Sequence, residues 1–125
     1  MNYEQFFYNC SKEYIHSIDS NLYKEILNII SKLPKRATQS EINQDLLWLF
    51  TNEGWICDKI STNLPYEPPY DLGIENYTRE NLYTKNVDRS LCLTSTTLET
   101  SWKADFAKMF NNKLVQIEAQ FGKKN

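Results

Sequence analysis

The sequence predicts an α/β domain in which N-terminal helices pack on a small mixed sheet. Apolar residues recur at helical spacing through most of the first 54 positions. Near the C-terminus the period changes to strict alternation, in two runs on either side of Asn111-Asn112. Those are the signatures of amphipathic helices and half-buried strands respectively. At 125 residues the chain is sized for a single domain, with a helical layer over residues 1–54 and sheet and loops over residues 55–125.

Tyr3, Phe6, Phe7, Cys10 and Tyr14 share one face of an expected first helix. Asp19-Ser20 is placed to cap a second, with Leu22, Ile26, Ile29, Ile30 and Leu33 on its apolar face and Pro34 ending it. Thr38-Gln39-Ser40-Glu41 is a capping box that opens a third, with Ile42, Leu46, Leu49 and Phe50 turned inward. Gly54 ends this helix, and residues 55–60 read as a strand entered at once. Three prolines within residues 64–73 remove amide donors, so this stretch is not a central strand. With Tyr66, Tyr70, Tyr77, Tyr83, Arg79 and Arg89 nearby, it suits contact with nucleic acid or a partner, or simple packing over a core edge. Residues 91–94 begin another strand before the C-terminal hairpin.

Composition excludes several classes. A hydrophobic fraction of 41% and a charged fraction of 24% are those of an ordinary globular protein. No run approaches the ~18 apolar residues of a membrane span. There is no basic-then-apolar leader, so no secretory signal is expected. Cys10, Cys57 and Cys92 lack a C-x-x-C pair and are odd in number, which reads as buried thiols in a reducing cytoplasm. His16 is the single histidine, beside an expected helix end, and no Ser or Cys triad accompanies it. The net charge is −2, but residues 101–125 hold five lysines against Asp105 and Glu118. Basic charge thus gathers near the hairpin, compatible with a phosphate-facing cleft.

The hairpin carries the chemistry. With a two-residue turn at Asn111-Asn112, residues 101–109 and 113–121 pair so that Asp105 lies opposite Glu118 and Lys103 opposite Gln120. Alternation puts these four residues on one face and Trp102, Ala104, Phe106, Val115, Ile117, Ala119 and Phe121 on the other, the core face. Like charges directly opposite cost roughly 0.2–1 kcal/mol, and a divalent cation between them reverses the sign. On exposure alone, Asp105 and Glu118 are equally well solvated, or Glu118 pairs with Lys103.

Lys103-Ala104-Asp105-Phe106 followed by Glu118-Ala119-Gln120-Phe121-Gly122-Lys123 resembles the metal motif of the PD-(D/E)XK nucleases. Ala104 stands where the family has Pro and Gln120 where it has Lys. This E-x-Q variant is similar to the BglII-like branch of the type II restriction endonucleases, over residues 102–123 closely and 38–60 loosely. The resemblance implies Mg²⁺-dependent cleavage of double-stranded DNA at a short palindrome by a homodimer. It implies Asp105, Glu118 and the Ala119 carbonyl as metal ligands, with Asp105, Glu118 and Gln120 as the catalytic set. Gln120 is no base at neutral pH, but its amide can orient water and donate to a phosphate oxygen. Lys103 and Lys123 are weaker candidates for phosphate contacts. Glu41 sits where many relatives keep an acid on the first helix, but the capping box accounts for it. Lys35-Arg36 reads as a solvated basic pair.

The family core runs αβββαβ, so the expected architecture is an incomplete restriction-endonuclease-like core, the N-terminal part of that fold. The resemblance implies that the residues that read bases in this family would lie largely beyond Asn125. Two alternatives stay open: a truncated non-catalytic remnant that binds DNA or protein, and a helical interaction protein unrelated to nucleases. On the metal-site reading, Asp105→Ala or Glu118→Ala abolishes metal binding and leaves folding intact or slightly improved.

Overall fold

The structure is a computed structural model, and it describes residues 4–6, 11–56, 67–75, 77–78 and 105–120. Within them the architecture is α/β. Helices α1 (Lys12–Ile18), α2 (Leu22–Ser31) and α3 (Gln39–Asn52) precede a 3₁₀ turn at Tyr70–Leu72 and strands β1 (Phe106–Phe110) and β2 (Lys113–Ile117).

The first helix departs from its expected bounds. Glu4–Phe6 has no regular structure and α1 starts at Lys12. Ser11 is extended, and its Oγ accepts from the Tyr14 amide at 3.1 Å. A capping serine satisfies an otherwise orphan amide, and here it outweighs apolar spacing that runs across it. Phe6 and Tyr14 are exposed, and Ile15 and Ile18 make the core contact instead. His16 falls in the last turn, as its position near a helix end implied.

The third helix opens on its expected cap, whereas α2 has Asn21 at its N-cap with no side-chain capping bond, in place of the expected Asp19-Ser20 cap. The Asp19 carboxylate accepts from the Asn21 amide at 2.8 Å, and the Asp19 carbonyl accepts from Leu22 N, so the turn leads directly into α2. That helix stops at Ser31, ahead of Pro34, which disfavours helical backbone in the residue before it. At α3 the Glu41 amide donates to Thr38 Oγ1 at 3.2 Å, while that hydroxyl donates to the Glu41 carboxylate at 2.9 Å. The C-terminus closes with Gly54 at φ 89°, Gly54 N donating to Thr51 O and Trp55 N to Phe50 O. This pair of bonds is a Schellman motif, and the positive φ is why glycine stands there.

Helix α3 is the centre of the molecule. Every residue from Asp45 to Thr51 is buried, so it packs on all sides and not on the single stripe of Ile42, Leu46, Leu49 and Phe50 that the spacing suggested. Two polar residues in that run have internal partners. Thr51 Oγ1 donates to the Leu47 carbonyl at 2.6 Å. Asp45 receives Arg36 Nε at 2.7 Å and Nη2 at 3.3 Å, and Nη2 also reaches Asp71 at 3.2 Å. Arg36 is therefore an internal clamp and not the solvated residue expected of the Lys35-Arg36 pair. Hydrogen bonding to Asp45 holds its guanidinium above the ordinary arginine range, against the opposing effect of desolvation. The clamp joins α3 to the proline-bearing segment. There Leu72, Ile74 and Tyr77 are buried and Tyr77 meets Trp48 edge-on at 5.5 Å, so the described part of the segment packs over the core.

The hairpin lies against this layer. Phe106 stacks on Phe50 at 4.4 Å between ring centroids, and Trp55 bridges Phe50 and Phe110. Ile56 pairs with Ala107 through a single antiparallel bridge, the described start of the strand expected over residues 55–60. All described pairing is antiparallel, and none of the parallel pairing of a mixed sheet occurs among the described residues. Residues 57–66 and 91–94, the three cysteines, Tyr66, Tyr83, Arg79 and Arg89 lie outside the described residues.

Candidate functional site

The turn residues Asn111 and Asn112 have φ 49° and 65°. Two successive positive φ values make a type I′ turn, whose twist matches that of the paired strands. The ladder pairs Phe106 with Ile117, Lys108 with Val115 and Phe110 with Lys113. Extended by one pair, the same register sets Asp105 against Glu118, as the two-residue turn requires. Each strand is shorter than its alternating run, and Asp105 and residues 118–120 lie just past the ladder.

The two faces divide as alternation dictates. Phe106, Phe110 and Val115 are buried in the main core, with Ile117 and Ala119 packed against it. On the other face Ala107 and Leu114 make a small cluster with Ile56, and alternation assigns Asp105 and Glu118 to that same face. Asp105 is half-buried, and its Oδ2 accepts from the Ala119 amide at 2.9 Å. Glu118 and Gln120 are exposed. The carboxylate of Asp105 thus closes the hairpin where the backbone ladder has ended. This revises the stability expectation, because removing Asp105 takes an acceptor from Ala119 as well as relieving a like charge.

The lysines distribute unlike the sequence count. Lys108 points to the core face, donating to Glu25 Oε2 at 2.9 Å and to the Glu53 carbonyl at 2.7 Å. Its ammonium lies 5.1 Å from the Phe110 ring centroid. Trp55 Nε1 donates to the same Glu25 oxygen at 2.8 Å, so one carboxylate ties α2 to both the α3 exit and β1. Lys113 sits at the turn end of the ladder, away from the acids. Lys103 and Lys123 lie outside the described residues. Glu41 is engaged in its cap, as the capping box implied.

Oxygen donors suit a hard cation. Mg²⁺ is commonly held by one or two carboxylates, with water and phosphate completing its shell. A carboxylate that takes one hydrogen bond from the protein has its remaining oxygen oriented, as ligating carboxylates generally do. Asp105 meets that condition, and Glu118 supplies the second acid. Among the described residues no group of three or more His, Cys, Asp or Glu side chains gathers to hold a metal. No helix of the described residues is long and apolar enough to cross a membrane. No protein family, curated protein or solved structure matches this chain.

Sequence reasoning missed two clusters, Arg36–Asp45–Asp71 and Glu25–Trp55–Lys108. Asp45 falls at helical spacing between Ile42 and Leu49, on the apolar stripe expected of α3, which signals a buried partner, but the partner itself is set by the path of the chain.

Proposed function

We propose that the chain is a Mg²⁺-dependent deoxyribonuclease of the type II restriction kind, or the N-terminal part of one, acting on double-stranded DNA as a homodimer when full length. The observation that carries this reading is the hairpin register, which, extended by one pair past the ladder, would set Asp105 against Glu118. The hydrogen bond from Ala119 supports it by orienting the Asp105 carboxylate. Asp105, Glu118 and the Ala119 carbonyl would hold the ion. Bound there, Mg²⁺ supplies charge neutralisation at the phosphate and lowers the pKa of a water. The protein's own share is positioning. Gln120, exposed beside the acids, donates its amide to a phosphate oxygen and orients the attacking water. Lys103 and Lys123 complete the phosphate contacts in this reading.

A second reading has one observation in its favour. With one Asp105 oxygen already taken by Ala119 and no third acid nearby among the described residues, the hairpin also suits a non-catalytic remnant that binds DNA or a partner. Titration of Mg²⁺ and Mn²⁺ by calorimetry into wild type and Asp105→Ala, with duplex cleavage followed in parallel, separates the two. Binding lost in the variant together with cutting by wild type supports the nuclease. Metal binding without cutting favours the remnant. No metal binding by wild type sinks the metal site altogether.

A further inference from the structure

Alternation of apolar and polar residues leaves one ambiguity in this hairpin. A slip of one residue would turn Val115 and Ile117 out of the core, and burial forbids it. A slip of two residues costs no burial pattern, because every side chain keeps its face. Moved one way, it sets Asp105 against Gln120. Moved the other way, it sets Asp105 against Gln116 and Lys108 against Lys113. Either slip dissolves the acid pair while leaving the core face apolar.

What separates these registers is the turn. The first slip puts Lys113 in a positive-φ turn position and the second puts Phe110 there, and neither tolerates that conformation as Asn does. Asn111 occupies it at φ 49°. Its side chain also reaches across the fold, Nδ2 donating to the Ile18 carbonyl at 2.5 Å. That carbonyl belongs to the last turn of α1, where the helix leaves acceptors without partners. The first slip moves Asn111 out of the turn and the second shifts it to the turn's other position, so neither keeps it where it now meets Ile18.

We propose that Asn111 is the positioning residue of the acid pair, holding the hairpin in the register that sets Asp105 against Glu118. The inference rests on the acid pair being the working site, but its structural half stands independently. The test compares Asn111→Gly with Asn111→Ala in the full chain. Both lose the bond to Ile18, and only glycine accepts the positive φ.

Cross-strand nuclear Overhauser contacts report the register, and Mn²⁺ titration by calorimetry reports the pair. In Asn111→Gly we expect the Phe106–Ile117 and Lys108–Val115 contacts of wild type and Mn²⁺ affinity within about threefold. In Asn111→Ala the wild-type turn and the Asn112-Lys113 turn both place an unfavourable L-residue at positive φ, so we expect slipped contacts such as Lys108–Ile117 to appear beside the wild-type ones, with Mn²⁺ affinity falling in proportion to the wild-type register lost. A purely structural tether would make the two variants behave alike, so equal losses overturn the proposal. Wild-type contacts alone, with wild-type affinity, in Asn111→Ala overturn it too. If Asn111→Ala does not fold, Asn111→Gly decides alone: a retained register supports the proposal and a slipped one overturns it. If wild type binds no Mn²⁺, the metal site fails, and the contacts still decide whether Asn111 sets the register.

Discussion

The two faces of the hairpin are built to different standards. On one, Phe106 stacks on Phe50, Phe110 meets Trp55, and Val115 closes the same core. On the other, the acid-bearing end is held by a hydrogen bond from Ala119 to Asp105, with Glu118 and Gln120 in solvent. The core face is over-determined, since several aromatic rings must move before any one of them can. Among the described residues the acid end rests on register and on the bond from Ala119 to Asp105. Exposed side chains there have more conformational freedom than those packed in the core.

Breaking the core face should have the largest effect. Phe50→Ala removes the ring that touches Trp55 and Phe106 at once, and a loss of about 3–5 kcal/mol is expected for such a truncation. Urea unfolding followed by tryptophan fluorescence measures it. A loss below about 1 kcal/mol, the range of tolerated surface changes and mild core swaps, would show that α3 is not the centre described here.

The polar seam between the layers comes next. Glu25→Ala strips the acceptor from both Trp55 Nε1 and Lys108 Nζ. An unsatisfied donor in a half-covered site costs roughly 1–3 kcal/mol. Lys108→Met should cost less, because it removes the charge without orphaning the indole. The same unfolding experiment on both variants ranks them, and the reverse order would contradict the network.

The acid end should respond least, and unequally. Asp105→Ala gives up the bond to Ala119 and should cost about 0.5–1.5 kcal/mol, offset in part by relief of the like charge. Glu118→Ala removes an exposed side chain and should stay within ~0.5 kcal/mol. Hydrogen exchange at the Ala119 amide sharpens the contrast: faster in Asp105→Ala, unchanged in Glu118→Ala. Equal exchange in both would mean that Asp105 does not hold that amide.

Legibility followed the range of the interaction. Thr38 and Glu41 are three residues apart, and the Thr38 cap formed as the spacing implied, with the Glu41 carboxylate accepting from the Thr38 hydroxyl. Gly54 and Asn111-Asn112 were readable because positive φ restricts residue choice at a single position. The start of α1 at Lys12 has a local reason as well, the Ser11 cap, while Tyr3, Phe7 and Cys10 of the expected apolar face lie outside the described residues. The Arg36 clamp and the Glu25 seam were not readable. Their partners lie up to 83 residues apart, and many charged residues compete for each role.

By itself the sequence determined the α/β pattern, the cap that opens α3, the turn and the register of the described ladder, all matters of short spacing and backbone preference. The tertiary structure alone decided which charges are spent. Lys108 is committed to Glu25, Arg36 to Asp45 and Asp71, Asn111 to Ile18, and one oxygen of Asp105 to Ala119. The physical reason is that a charged or amide group takes whichever partner the packed chain brings within about 3 Å. Packing is a property of the whole fold, which no local pattern encodes.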